Sequence, residues 1–413
     1  IGTNSSQPTL TGNYASTLTT MPDNYTYDKA TDKKDGADIY LEDNISAILN
    51  AGISGSATSP WAYTDDKLPT LNVWTEQTKP QQPSLEKTSY LAHLSNWVTY
   101  GQTANVGTSG TDVTVTSTAN GVTYTAHTVK GLAWIAWVTN EGKKDSDDQG
   151  KNYPEKTGFE DCIVEIDNNI ANDKLSLAKP ADVDDNFETS WIPIGNYKSF
   201  KGTFNGNNKT ITDLSITKEY SYIGLFGSID GGSVKDLTVE GKIEITLVYS
   251  SRIGGIVGDF SGDGSIYNCH NKCSIKATYN DSNNSSATNI GGIVGYIESG
   301  SPKVTNCSNQ GDISSTGNTR NVFGGIIGFN SSGIISNCFN TGKIEATSKL
   351  NSIAGGIAGI NLNKISNCYS TGAITTTIEK VNDTPLAGGI AGNNQSSITN
   401  CYSTGEISLT INA

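Results

Sequence analysis

The chain predicts an all-β fold built by repetition, and three observations carry the prediction. A five-residue glycine block recurs every 31 to 37 residues, at 254–258 (GGIVG), 291–295 (GGIVG), 324–328 (GGIIG), 355–359 (GGIAG) and 388–392 (GGIAG). Between the blocks, apolar residues alternate with polar ones at a period of two, the spacing of side chains on one face of a strand. Glycine is 45 of 413 residues and only 17% are charged, a composition richer in turn formers than the ~7% glycine of an average protein. Gly and Asn accept positive φ cheaply, while Thr, Ile and Val suit pleated strands.

The elements follow in chain order. Residues 1–74 do not repeat. Residues 75–84, TEQTKPQQPS, have the Pro and Gln content of an extended, solvated linker, and 75–123 reads as linker with irregular strands. Residues 127–140, HTVKGLAWIAWVTN, predict one amphipathic helix, with Leu132, Ile135, Ala136 and Val138 on one side and Gly142 as its stop. Placed before the first coil, such a helix caps the open edge of a solenoid. Residues 162–170 predict an early strand, and 191–195 (WIPIG) leads through 200–208 (FKGTFNGNN) into a strand at 210–216. The repeating domain is assigned to 124–413.

Within it a second phrase follows each glycine block: Asn268-Cys269, Asn306-Cys307, Asn337-Cys338, Asn367-Cys368 and Asn400-Cys401, with Asp213-Leu214 and Asp236-Leu237 in two diverged copies. Three residues before each Cys or Leu stands Ile or Val, and four after stands Gly in all but two copies, which carry Lys218 and Cys273. Six after, Ile243, Ile275, Ile313, Ile344, Ile374 and Ile407 recur in every copy from Asp236-Leu237 onward. One coil buries little alone; stacking equivalent coils at ~4.8 Å lets Ile sit on Ile and pairs each backbone with the coils above and below. Seven copies imply a stack of roughly 30 Å. Successive coils run the same way, so the fold is a parallel β-helix, right-handed by default. The five cysteines form a buried thiol ladder, because in-register Cβ atoms ~4.8 Å apart exceed disulfide reach. The five asparagines before them are expected to point inward at a corner and hydrogen-bond up the stack.

The ordered phrases LAWIAWVTN, SWIPIG, FKGTFNGNNKTITDLSI, IGLFG and the tandem GGI[VIA]G…NC repeats resemble the GLUG-motif parallel β-helix proteins of secreted and cell-surface bacterial origin, over residues 124–411. The resemblance implies a right-handed β-helix in exported, adhesin-like proteins and supplies no catalytic residues. Three phrases near the chain start, at 12–15, 34–39 and 61–71, resemble the segment that closes such a domain after its last coil. Residues 1–74 therefore read as a displaced closing segment, while the last coil runs to the chain's end.

The chemistry classes narrow quickly. A formal charge of −13 leaves no basic stripe for nucleic acid. No stretch reaches the ~18 apolar residues of a spanning helix. The chain opens at Ile1 without a start methionine or signal regions, as a processed chain or excised piece does. Asp145 and Asp147, in DSDDQG, and Asp182 and Asp184, in DVDD, are weak calcium candidates that lack a complete ligand set. Cys269-His270-x-x-Cys273 is half of a zinc pattern without its partner. His93, His127 and His270 lie far apart in sequence, and Tyr369 and Tyr402 are candidates for a sugar-binding stripe. No cofactor is expected, and no enzyme activity.

These readings predict a non-enzymatic extracellular protein, a surface adhesin or a subunit of a surface filament. The filament form docks Trp61, Leu68 and Leu71 of one copy on the final coil of the next; a surface glycan or protein is the other expected partner. The alternative is a carbohydrate-binding or polysaccharide-cleaving β-helix.

Overall fold

The structure, a computed structural model, describes residues 96–411 except 120, 145–151, 184, 280–286, 318–319, 349–350 and 379–384, together with the backbone of four short strands before them. The chain divides into two compact units, Ile1–Ser95 with Ala181–Phe187, and Asn96–Pro180 with Glu188–Ala413. In the first unit Tyr14–Ser16 pairs in parallel with Ala37–Ile39, and Trp61–Ala62 pairs antiparallel with Thr70–Leu71. The four strands fall inside or at the edge of the three phrases singled out near the chain start. The backbone of Trp61 lies opposite that of Leu71; Leu68 lies outside the described residues.

The second unit is a parallel β-solenoid. Each later coil contributes one strand to each of two six-stranded sheets and further strands to a third, larger sheet, every coil pairing in parallel with the next. The glycine block marks the turn between the first two: Arg320–Gly324 precedes it in one sheet and Ile327–Asn330 follows it in the other. The predicted isoleucine column is the spine of the third sheet. Ile243, Ile275, Ile313, Ile344, Ile374 and Ile407 stand in consecutive register, and all but the last are at most 1% exposed. Full burial of such a side chain stabilises by roughly 1.5–3 kcal/mol, and identical shapes stack without gaps.

Among the described residues two α-helices lie before the coils, α1 (Trp97–Gln102) and α2 (Val129–Glu141). Within the stretch 75–123, which reads from sequence as linker with irregular strands, α1 forms because Asn96 caps it, its Oδ1 accepting from Val98 and Thr99 N–H while Thr99 Oγ1 accepts from the Asn96 N–H. The α2 helix starts at its Thr128 cap and stops at Gly142, which takes the left-handed conformation (φ 66°) that ends many helices. It is buried around most of its circumference rather than on one stripe, since Gly131, Ala133 and Trp134 are covered as well as the predicted face. Trp134 stacks on Tyr124 and Tyr153 and meets Phe159 edge-on. These aromatic partners cover Trp134, while Gly131 packs against the Asp112 backbone and Ala133 against Gly101 of α1; helical periodicity does not report them. The hairpin Val113–Thr118 and Gly121–Ala126 then joins Cys162–Ile166 in parallel.

Candidate functional site

The inner columns take the five cysteines that sequence reasoning singled out. Cys269, Cys307, Cys338 and Cys368 are at most 1% exposed, Cys401 is half-buried, and all are free thiols. Each S–H donates to the carbonyl two residues back, at 3.1–3.3 Å, as Cys307 does to Thr305. Burial pushes the Cys307 and Cys338 thiols well above their ordinary range, and the hydrogen bond of the Cys368 thiol with Cys338 leads the same shift at Cys368. A protonated, buried thiol is neither nucleophile nor metal ligand. The glycine four residues on is fixed by close approach: a Cβ on Gly342 would lie 2.1 Å from the Gly311 carbonyl oxygen, and one on Gly372 would lie 2.0 Å from that of Gly342.

The asparagines before the cysteines turn outward, against the inward orientation expected. Asn268, Asn306, Asn337, Asn367 and Asn400 all take φ of 52–57°, a left-handed conformation that Asn and Asp tolerate best among residues with a Cβ. Their amides still bond up the stack, Asn367 to Asn337 and Asn400 to Asn367 at 3.1 Å each, but in solvent. The inward ladder lies two residues after each cysteine. Asn271 Nδ2 donates to Asn309 Oδ1 at 2.7 Å and Asn309 Nδ2 to Asn340 Oδ1 at 2.8 Å, and all three are fully buried. This ladder explains the doubled glycine. A Cβ on Gly292 or Gly325 would sit 2.3 Å or 2.4 Å from the amide carbon of Asn309 or Asn340.

The outer faces present rows of like groups. Thr246, Thr278, Thr316, Thr347, Thr377 and Thr410 stand in one register. Phe339, Tyr369 and Tyr402 stack on one another at 5.0 and 5.3 Å with planes within 6°. Stacking covers both faces of Tyr369 but one face of Tyr402, which is 57% exposed, so within the stripe Tyr369 offers a sugar its edge and hydroxyl rather than a ring face.

Two histidines have partners that sequence distance concealed. His127 Nδ1 lies 2.7 Å from Asp167 Oδ2 and its Nε2 lies 2.6 Å from Thr114 Oγ1. A hydroxyl–imidazole–carboxylate line orders a proton path, yet its remaining contacts are those of a clamp. Thr114 also bonds the Gly110 carbonyl, and Asp167 accepts from the Asn169 N–H, which with His127 holds its carboxyl low. His270 meets Ser308 at 2.8 Å, and burial lowers its pKa. On another face Arg252 bridges Asp259 and Glu298 and lies over the Tyr296 ring. Burial raises the Asp259 carboxyl to about 6 in spite of that arginine.

Asp145, Asp147 and Asp184 lie outside the described residues, and Asp182 is exposed. Among the described residues no three His, Cys, Asp or Glu side chains cluster as a metal site, and no helix is long and apolar enough to cross a membrane. The last coil differs from those above it: Leu386, Ile407, Leu409 and Ile411 are 39–47% exposed. Its strand Ile407–Ile411 pairs with Ile374–Ile378 and, among the described strands, with no other.

The GLUG motif model matches residues 286–314 and 383–408, two of the repeats, and with the solenoid architecture it bears out the resemblance drawn from the tandem phrases. One similar solved structure is that of a "putative immunoglobulin A1 protease" from Bacteroides ovatus. It is 18% identical, with a TM-score of 0.47, over 72% of this chain and 79% of that one; a likeness of this size carries no activity across. No curated protein matches the chain.

Proposed function

We propose that this chain is a non-enzymatic structural and adhesive protein acting outside the cell, and that copies associate head to tail. The observation that carries the reading is the last coil, whose strand edge and half-exposed Ile407, Leu409 and Ile411 form a surface suited to a further strand. The occupant is the segment 1–74 of a second copy, presenting Trp61, Leu68 and Leu71, because that segment resembles the piece that closes a domain of this kind. Strand addition satisfies the free backbone groups, and covering each half-exposed apolar side chain adds roughly 1 kcal/mol. Such a contact joins unlike surfaces and does not close, so it builds a filament. The outer faces support an adhesive role, since rows of like groups suit an extended ligand better than a single reacting centre.

The test compares the full chain with a variant lacking residues 1–74, by light scattering and electron microscopy. The full chain lengthens with concentration and the truncated one does not. Equal assembly of both, or assembly of neither, refutes the head-to-tail contact. A second reading, carbohydrate binding, is favoured at one place on the first coils.

A further inference from the structure

Aromatic side chains on this protein fall into two populations. Most are buried in the core or, like Phe339, Tyr369 and Tyr402, stacked on one another. Tyr197 and Tyr249 are each 72% exposed, and no ring contact joins them to each other or to Tyr220. All three line one open cleft of about 400 Å³, together with Asn196, Ser221 and Ser250.

The backbones that carry these rings are pinned, although the rings of Tyr197 and Tyr249 are exposed. Asn140 of α2 accepts a 2.7 Å bond from the Asn196 N–H, holding the turn that presents Tyr197. Glu219 Oε1 accepts from the N–H groups of Val248 and Tyr249 at 2.9 and 2.7 Å. The Tyr279 hydroxyl donates to the Tyr249 carbonyl at 2.8 Å, and the Ser251 hydroxyl donates to that of Tyr220 at 3.1 Å. Exposed apolar rings on a fixed backbone lose little entropy when a ligand covers them, which is how preorganised binding surfaces gain affinity.

We infer that this cleft is a binding site for a neutral oligosaccharide, with Tyr197 and Tyr249 as stacking platforms and Tyr220, Asn196, Ser221 and Ser250 as hydrogen-bonding groups. The lining decides the class. Sugar rings offer C–H faces to aromatic rings and hydroxyls to phenol, amide and serine groups. Among the described residues no lysine or arginine lines the cleft, so these residues offer an anionic ligand no counter-charge. Glu219, its carboxylate, has one oxygen already holding two backbone N–H groups, so it serves the loop before it serves a cation. The Tyr220 hydroxyl, raised to about 12 by burial first and by Tyr197 and Glu188 next, stays protonated as a donor.

The inference deepens the adhesive reading by naming its ligand class, and it is tested apart from assembly because sugar binding is read whether or not filaments form. The full chain is run in native gels containing mannan, xylan, arabinan or mixed-linkage glucan, with polygalacturonate as the anionic control and free choline as the cationic competitor. At least one neutral polysaccharide retards it. Tyr197→Ala and Tyr249→Ala each weaken binding roughly tenfold and the double variant loses it, with melting temperatures unchanged because the rings are exposed. Tyr267→Ala, an exposed ring elsewhere, binds as the parent does. The inference is overturned by no retardation in any neutral gel, by retardation that the two tyrosine variants leave intact, by retardation in polygalacturonate alone, or by displacement with choline.

Discussion

Replacing Asn340 with alanine tests whether the inward amide ladder holds the coils in register. Asn340 is fully buried; its Oδ1 accepts from Asn309 Nδ2 at 2.8 Å, and its Nδ2 donates to the Gly342 carbonyl at 2.9 Å and faces Ser370 Oγ at 3.4 Å. Alanine leaves an Asn309 N–H without its acceptor and the Gly342 carbonyl without this donor. A buried polar group stripped of its partner costs about 1–3 kcal/mol, and the cavity under Gly325 adds to it, giving a loss of about 3–5 kcal/mol. The outer ladder supplies the control. Asn367→Gly keeps the left-handed backbone and removes only exposed hydrogen bonds, for a change within about 0.5 kcal/mol, whereas Asn367→Ala costs about 1–2 kcal/mol from backbone strain. Urea unfolding should be followed by far-ultraviolet circular dichroism. Fluorescence would report the wrong region, because all six tryptophans, at 61, 74, 97, 134, 137 and 191, precede the glycine-block repeats. A loss under 1 kcal/mol for Asn340→Ala, or one matched by Asn367→Gly, refutes the assignment of the two ladders.

Two further outcomes are expected. The Asp259 carboxyl is raised to about 6 in the folded protein against an ordinary 3.8, so its stabilising contribution is fully present below pH 3.8 and is lost as pH rises through about 6. Relative to Asp259→Asn, the parent should therefore lose on the order of 3 kcal/mol of stability between about pH 4 and pH 7; parallel stability profiles for the two proteins would contradict this. A chelator should leave the melting temperature nearly unchanged, and a drop of many degrees with EDTA would show that the acidic loops at Asp145, Asp147, Asp182 or Asp184 hold a metal.

The sequence by itself determined the solenoid, the coil boundaries and the buried columns. Ile344 and Cys338 were legible because stacking forces every coil to place the same shape at the same position. Gly142 was legible as a helix stop for an equally local reason. Tertiary structure alone decided which way the asparagines face: a left-handed corner at Asn337 turns its side chain to solvent, and Asn340, two strand positions past Cys338, becomes the inward amide. The doubled glycine was visible as a motif but not as a cause, since its purpose is contact between Gly325 and Asn340, fifteen residues on. His127 meets Asp167 across forty residues, and the tyrosine cleft gathers loops from residues 196 to 251. Side-chain period reports burial within one strand; which distant side chains converge depends on how loops return between coils, and no local pattern records that.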